Sequence, residues 1–450
     1  MQTLATETFY NTASEVASAT NAIYKPLKGW NFATTFPALM ECMPDYGYGR
    51  GSWASNSNYA GLDATNTARV GDTWSELYFA IRNANLVIKN TPNSSEITDN
   101  EKAQFIGEAK YMRAFCYFNL VRCWGGVPLR TEETMSELEI ARSSVDDVYD
   151  LIISDLEYAE QNLPDAPRLI GTPSKWAAKT FLADVYLNLK NWGNARDLAK
   201  QVINSGKYSL VNVNVADDFY EIYGPNVINT TEEIFYLKFS TSEGWDFTMF
   251  AHHPGSKLHA GGGYYGHYTR TDNPVIANWD DNDLRKEFIL YTWNIGIGSN
   301  TLLYKKFITP EETHAPNDYP WYRYADLLLI YAEAANQANN GPTADAIECL
   351  NKVHRRAYGF DPEIPSPVDF KINDYDIESF LDLVIKERGY ETMYEGKRWL
   401  ELVRTGKAAK IIKEVKGIDI QEKSYLLPIP IKETNYNKAI DPETDQNPGY

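Results

Sequence analysis

Apolar residues recur at helical spacing along most of this chain, and the pattern lapses in three blocks. Phe105, Ile106, Ala109, Met112, Cys116 and Leu120 fall on one face of a predicted helix. Ahead of them, Thr98 and Glu101 form a capping box that satisfies two otherwise unpaired N–H groups; Gly125, Gly126 and Pro128 end the run. The same periodicity predicts helices over residues ~8–27 and ~72–91, and from Ser143–Ser144 to Leu163. Thr172–Pro173 reads as an N-cap with proline at the first helical position.

Two helix pairs follow a common rhythm. Leu182, Ala183 and Tyr186 precede Ala195, Ala199 and Val202; Ala334 precedes Ala346, Leu350 and Val353. In each pair two small residues stand twelve apart, the spacing of tetratricopeptide-like (TPR-like) hairpins whose helices cross closely. The helical pattern lapses over residues ~40–70, ~207–318 and ~416–450, which are rich in Gly, Asn, Tyr and Pro, with a strand-like run at Glu233–Phe239. The expected fold is mainly α. TPR-like helices over roughly 72–205 and 320–405 support an interleaved, irregular half, and residues 1–450 form a single structural unit.

Charge and composition narrow the function. With 61 acidic against 43 basic residues, the net charge is −18, so nucleic acid is not an expected partner. No segment approaches the ~18 uninterrupted apolar residues of a membrane span. The opening residues carry no signal-peptide pattern. Cys116 and Cys123, seven apart in one helix, would lie about 10 Å apart along its axis, beyond disulfide reach. Both are expected to pack as small hydrophobes.

Catalytic signatures are absent: no GxSxG, no HExxH, no Walker A sequence. Gly261–Gly266 fits GxGxxG only literally, because Tyr264 and Tyr265 occupy the turn and no strand–turn–helix unit surrounds it; no cofactor is expected. His252, His253, His259 and His267 cluster in sequence but match no compact ligand motif, so no metal is expected. The acidic pairs Asp280/Asp281 and Glu311/Glu312 are sequence neighbours, not carboxylates opposed across a sugar. Glu387, Arg388, Glu391 and Glu395, spaced three and four apart, read as helix-surface ion pairs or as anchors for a neighbouring helix.

What remains is aromatic. Residues 45–56 (DYGYGRGSWASN) carry Tyr46, Tyr48, Arg50, Trp53 and Asn56 among turn-permitting glycines; a second loop carries Trp245, Tyr264, Tyr265 and Tyr268. Aromatic planes meet the apolar C–H faces of sugar rings, while Arg and Asn at their edges reach hydroxyls. Trp53, with the largest flat face, is expected to be a principal stacking residue.

Several segments resemble blocks of the SusD-like (RagB/SusD) family, in the family's order. They are Trp74–Asn85 (WSELYFAIRNAN), Gly107–Phe115 (GEAKYMRAF), Trp124–Leu129 (WGGVPL), Tyr322–Ala334 (YRYADLLLIYAEA), Glu387–Arg388, Glu395–Gly406 (EGKRWLELVRTG), Leu426–Pro430 (LLPIP) and Asn447–Tyr450 (NPGY). Asp326 and Glu333 interrupt the apolar run of the fourth, which packing alone does not require. The resemblance implies a non-enzymatic lipoprotein on the outer-membrane surface of a Gram-negative cell. It would serve nutrient uptake by capturing glycan and handing it to a TonB-dependent SusC-like transporter. The leader and the lipid-bearing cysteine would lie outside this sequence. It also implies that Arg50 and Trp53 contact sugar. Two readings from other classes stand beside it, a TPR-like peptide-binding scaffold and a glycoside hydrolase.

Overall fold

The computed structural model describes residues 10–450, and the fold is mainly α with few strands. The chain forms two units, each assembled from segments distant in sequence.

The first unit comprises Met1–Phe36, Leu62–Leu182 and Gln421–Tyr450. Its helices Ala64–Asn90, Asp99–Trp124 and Val145–Asn162 pack in sequence order, the middle one against both others. Their starts follow from capping chemistry. Thr98 and Glu101 form the expected box, and Ser144 pairs with Asp147 in the same way. The helix expected over ~8–27 is two, Ala13–Asn21 and Tyr24–Lys28, and two later starts also shift. The helix expected from ~72 begins at Ala64, because Asp63 caps Asn66 N–H. The helix expected from Thr172–Pro173 begins at Lys175: Ser174 supplies the cap to Ala177 N–H, and Thr172 instead closes a turn onto Leu169.

The Asp99–Trp124 helix is buried almost all round, so its polar residues need partners. Arg113 meets Asp155 through Nε and Nη2 (2.6 and 2.8 Å), and Lys110 reaches the same carboxylate at 2.7 Å. At the helix end, Gly125 has φ +73°. A Cβ at Gly126 would lie 2.3 Å from Ser143 O, which only glycine avoids. The tail seals this end. Trp124 Nε1 donates to Pro428 O (3.0 Å), and the Asn447 amide donates to Trp124 O (2.9 Å) and Leu427 O (2.7 Å). The WGGVPL, LLPIP and NPGY blocks are thus parts of one closure.

The second unit comprises Pro37–Gly61 and Ala183–Ile420. Its centre is the Tyr324–Ala338 helix, packed against Trp192–Asn204, Ala344–Ala357 and Ile377–Glu391. Ala183, Ala195, Ala334 and Ala346 are all fully buried, as their spacing predicts. Asp326 accepts Arg323 N–H (2.8 Å) and meets Lys397 (3.0 Å), while Glu333 takes both Nη of Arg404 (2.6 and 2.8 Å). Both acids are therefore anchors to the following segment. All four cysteines are buried.

The irregular stretch expected over ~207–318 contributes β-structure. Strands β1 (Tyr48–Gly49), β2 (Glu233–Leu237), β3 (His267–Arg270), β4 (Leu290–Thr292), β5 (Thr301–Tyr304) and β6 (Tyr319–Arg323) make two antiparallel sheets, ordered β1-β3-β5-β4 and β2-β6.

Beneath them lies a buried charge network. Arg323 contacts Glu391 and Glu395 (both 2.8 Å), and Arg356 contacts Glu391 (2.5 Å) and Glu232. Arg285 contacts Asp283 (2.7 Å), Glu387 (2.6 Å) and Glu391 (3.2 Å), and Lys306 contacts Glu395 (2.5 Å). Burial pushes the Glu387 and Glu395 carboxyls upward, but their cationic neighbours outweigh it and hold both at about 2. Of the two readings of these charges, the helix surface is thus corrected and the anchoring one is what the structure displays. The Asp280–Arg285 stretch likewise sends Asp283 and Arg285 into the core.

Candidate functional site

The four-stranded sheet has two unlike faces. On β3 burial alternates: His267 and Thr269 are buried, while Tyr268 and Arg270 are partly exposed. β1 extends both rows, because Tyr48 pairs with Tyr268 and Gly49 with His267, and Arg50 N–H donates to Gly266 O (2.7 Å). Period-two geometry therefore puts Tyr48, Arg50, Tyr268 and Arg270 on one outward ledge, each half-buried. The Tyr48 and Tyr268 rings stack with centroids 5.4 Å apart. The Lys416 ammonium lies 5.0 Å from the Tyr48 ring and donates to Gly47 O (2.6 Å).

A second group of rings adjoins Arg50, whose guanidinium lies 4.2 Å from the Tyr265 ring centroid. The Tyr265 segment docks by backbone: Tyr264 N–H donates to Met249 O (2.8 Å) and Tyr265 N–H to His252 O (3.0 Å). A Cβ at Gly263 would lie 2.0 Å from His252 O, so glycine is what permits the approach. Tyr265 itself has φ +38°, a left-handed backbone costing a non-glycine residue roughly 1–2 kcal/mol. Its ring meets His253 (4.6 Å), which meets Trp293 (5.2 Å), which meets Tyr291 (6.2 Å). Flat apolar faces with N–H and O–H donors at their rims suit a polyhydroxylated ring.

The residues expected to bind divide sharply. Tyr48, Arg50, Tyr264 and Tyr265 reach the surface, Tyr264 being 56% exposed. The other four are corrected. Trp53 is 3% exposed and lies behind the sheet, edge-on to Phe250 (5.0 Å) and His267 (5.4 Å). A Cβ at Gly266 would come within 3.0 Å of Trp53 Cδ1, so the indole fills the space that glycine leaves. Tyr46 is fully buried and its hydroxyl donates to Glu41 (2.7 Å). Trp245 is fully buried, stacked on Tyr319 (4.7 Å) and edge-on to Phe307 (4.8 Å). Asn56 is also buried, with no partner for its amide among the described residues. None of these four offers a face to a ligand.

Sequence reasoning named Tyr268 without assigning it, weighed His253 only as a metal ligand, and missed Trp293 and Lys416. The alternation in His267–Arg270 and in Tyr291–Trp293 was the available signal; for Lys416, over 350 positions from Tyr48, there was none. The clustered histidines do not converge on a metal. His252 Nε2–H donates to Phe307 O (2.7 Å), and burial, with a contribution from His259, pushes its pKa down to about 4. Among the described residues no three metal-ligating side chains form a site.

Comparisons with known proteins agree with one another. Residues 3–187 match a family model described as "Starch-binding associating with outer membrane", and residues 245–450 match the SusD family. A curated relative, SusD-like protein P25 of Formosa agariphila, is 25% identical over 99% of this chain and 94% of its own length. SusD-like protein P38 of the same organism is 29% identical over 77% of this chain and 74% of its own. The crystal structure of a SusD homolog from Bacteroides thetaiotaomicron superposes with a TM-score of 0.85 at 22% identity, covering 99% of this chain and 98% of the other. A laminarin-binding SusD-like protein gives 0.78 at 24% identity, covering 98% and 100%.

Proposed function

The chain belongs to the SusD/RagB family, and from that premise we propose that it is a surface glycan-binding protein. It captures oligo- or polysaccharide and delivers it to a TonB-dependent SusC-like transporter in the outer membrane. The observation that carries the reading is the ledge of β1 and β3, where Tyr48 and Tyr268 stack beside Arg50 and the Tyr265–His253–Trp293 rings. Burying such rings completely would be cheaper for the fold, as Trp53 and Trp245 illustrate. Rings left half-open on a rigid sheet, one of them on strained backbone, are in place for a partner. The laminarin-binding relative supports a carbohydrate as that partner.

Binding is chemically passive in this reading. Glycoside hydrolysis needs two carboxylates about 5–9.5 Å apart across the sugar. The ledge is aromatic and basic, and Asp272 beside it is engaged by Arg270 (3.3 Å). Membrane attachment belongs to the proposal too, through a lipid on a cysteine outside this sequence; among the described residues no helix is long and apolar enough to span a bilayer.

Affinity-gel electrophoresis against a panel of polysaccharides tests the reading. At least one glycan should retard the protein, Tyr265→Ala and Tyr268→Ala should reduce retardation, and reducing ends should not accumulate. No retardation by any glycan, or cleavage that persists after repurification, would refute it.

A further inference from the structure

Within the proposed capture site, on which this inference rests, Arg50 is an anomaly of charge. The chain carries a net charge of −18, and its well-buried arginines sit against acids: Arg113 on Asp155, Arg285 on Glu387, Arg323 on Glu391 and Glu395, Arg398 on Asp45 and Arg404 on Glu333. Arg50 is half-buried on the ledge, yet no carboxylate among the described residues pairs with it; its charged group faces the Tyr265 ring. A guanidinium lying over a ring keeps its in-plane N–H donors unspent. The Lys416 ammonium adds a second positive charge on the same ledge, beside Tyr48, held by Gly47 O and facing the Tyr48 and Tyr59 rings. The charge of Arg270 is answered by Asp272. The ledge is thus locally positive on a strongly acidic molecule, and its strongest donor array is free.

We propose that this ledge selects an anionic glycan, with Arg50 receiving a sugar carboxylate or sulfate ester while Tyr48, Tyr268 and Tyr265 take the ring faces. Both groups present paired oxygens that match the guanidinium fork, and charge-assisted bonds of this kind are roughly twice as strong as neutral ones. A neutral sugar would engage the same donors only through hydroxyls. The protein's overall negative charge works against non-specific adhesion of polyanions, so tight binding of one would report a local site.

The full chain should be titrated with three polymers: laminarin as a neutral glucan, polygalacturonate as a uronate and a carrageenan as a sulfate ester. At least one of the anionic polymers should bind about tenfold or more tightly than laminarin, weakening as salt rises. Whichever is preferred identifies the group. Arg50→Gln should remove most of that advantage, lowering affinity for the anionic polymer far more than for laminarin; Arg50→Lys should restore part of it. Lys432→Gln, an exposed lysine of the first unit, should change nothing, whereas an equal loss there would expose simple ion exchange and overturn the proposal. Laminarin bound as well as both anionic polymers would overturn anionic selection while leaving glycan capture intact. Binding of none of a wider polysaccharide panel would overturn both. Should Arg50→Gln prove unstable, salt-independent binding of the anionic polymer by the unaltered protein would still decide against it.

Discussion

Arg323 and Arg50 belong to the same unit and answer opposite needs. Arg323 is fully buried among Glu391, Glu395 and Glu232, with Arg356 and Lys306 sharing those acids. Arg50 lies half-open over a tyrosine, with no carboxylate pairing it among the described residues. The aromatic rings divide along the same line: Trp245 and Trp53 are enclosed, Tyr265 and Tyr264 open. Residue type therefore says little about role in this protein. What separates scaffold from site is whether a side chain's bonding capacity is already used inside the fold.

The sharpest way to break this contrast is to attack the network. Arg323→Met leaves buried carboxylates without their counter-charge and should destabilise the protein by about 3–5 kcal/mol, measured by urea unfolding. Any folded fraction should retain its glycan preference; a variant as stable as the parent would show the network to be dispensable. The same contrast appears in acid. Glu387 and Glu395 are held at about 2, below the ordinary glutamate value near 4.5. Their stabilisation is complete above that ordinary value and is lost as pH falls from about 4.5 towards 2. Unfolding free energy measured across this range should decline steeply, and a flat profile would contradict the assignment.

Next in size is Trp53→Ala. A buried indole lost from behind the sheet should cost roughly 3–5 kcal/mol. Affinity per folded molecule should change far less than stability, and the reverse pattern would return Trp53 to the binding surface. Tyr48→Ala sharpens the other side. It should weaken glycan binding by about 1–3 kcal/mol, by analogy with aromatic stacking on nucleobases, with little change in melting temperature. The scaffold alone is probed by Ala195→Leu. Overpacking a fully buried alanine should cost about 1–3 kcal/mol without altering which glycan is preferred.

Much of the fold was legible because its signals are local. Thr98 and Glu101, or Ser144, lie within one turn of the groups they cap, so the sequence window contains the whole interaction. The alanine spacing worked for a related reason, since a helix converts separation into position on a face. The site was legible only in part. Glycines at 47, 49 and 51 correctly marked a turning segment, but a turn does not say which way its rings point. Trp53 goes inward because Gly266, far along the chain, lacks a side chain there; Arg50 faces outward because its extended backbone continues, two residues from Tyr48, a strand too short to be recognised. Lys416 reaches the ledge from the end of the Ala408–Lys416 helix, more than 350 positions from Tyr48, where no local pattern could announce it. Chemistry that depends on tertiary partners was invisible, and the family resemblance located the loop without locating its surfaces.

The closure of the first unit has a consequence for how the chain comes into being. Asn447 and Pro428 satisfy groups on Trp124, across separations of 323 and 304 residues. During vectorial synthesis the Ala64–Asn90, Asp99–Trp124 and Val145–Asn162 helices emerge long before the segment that seals them. The unit must wait, partly open, while residues 183–420 of the second unit are made, which is the topology of a slow folder exposed to aggregation. A nascent chain halted before residue 421 would therefore leave its earliest helices unfinished while its later ones could already be complete.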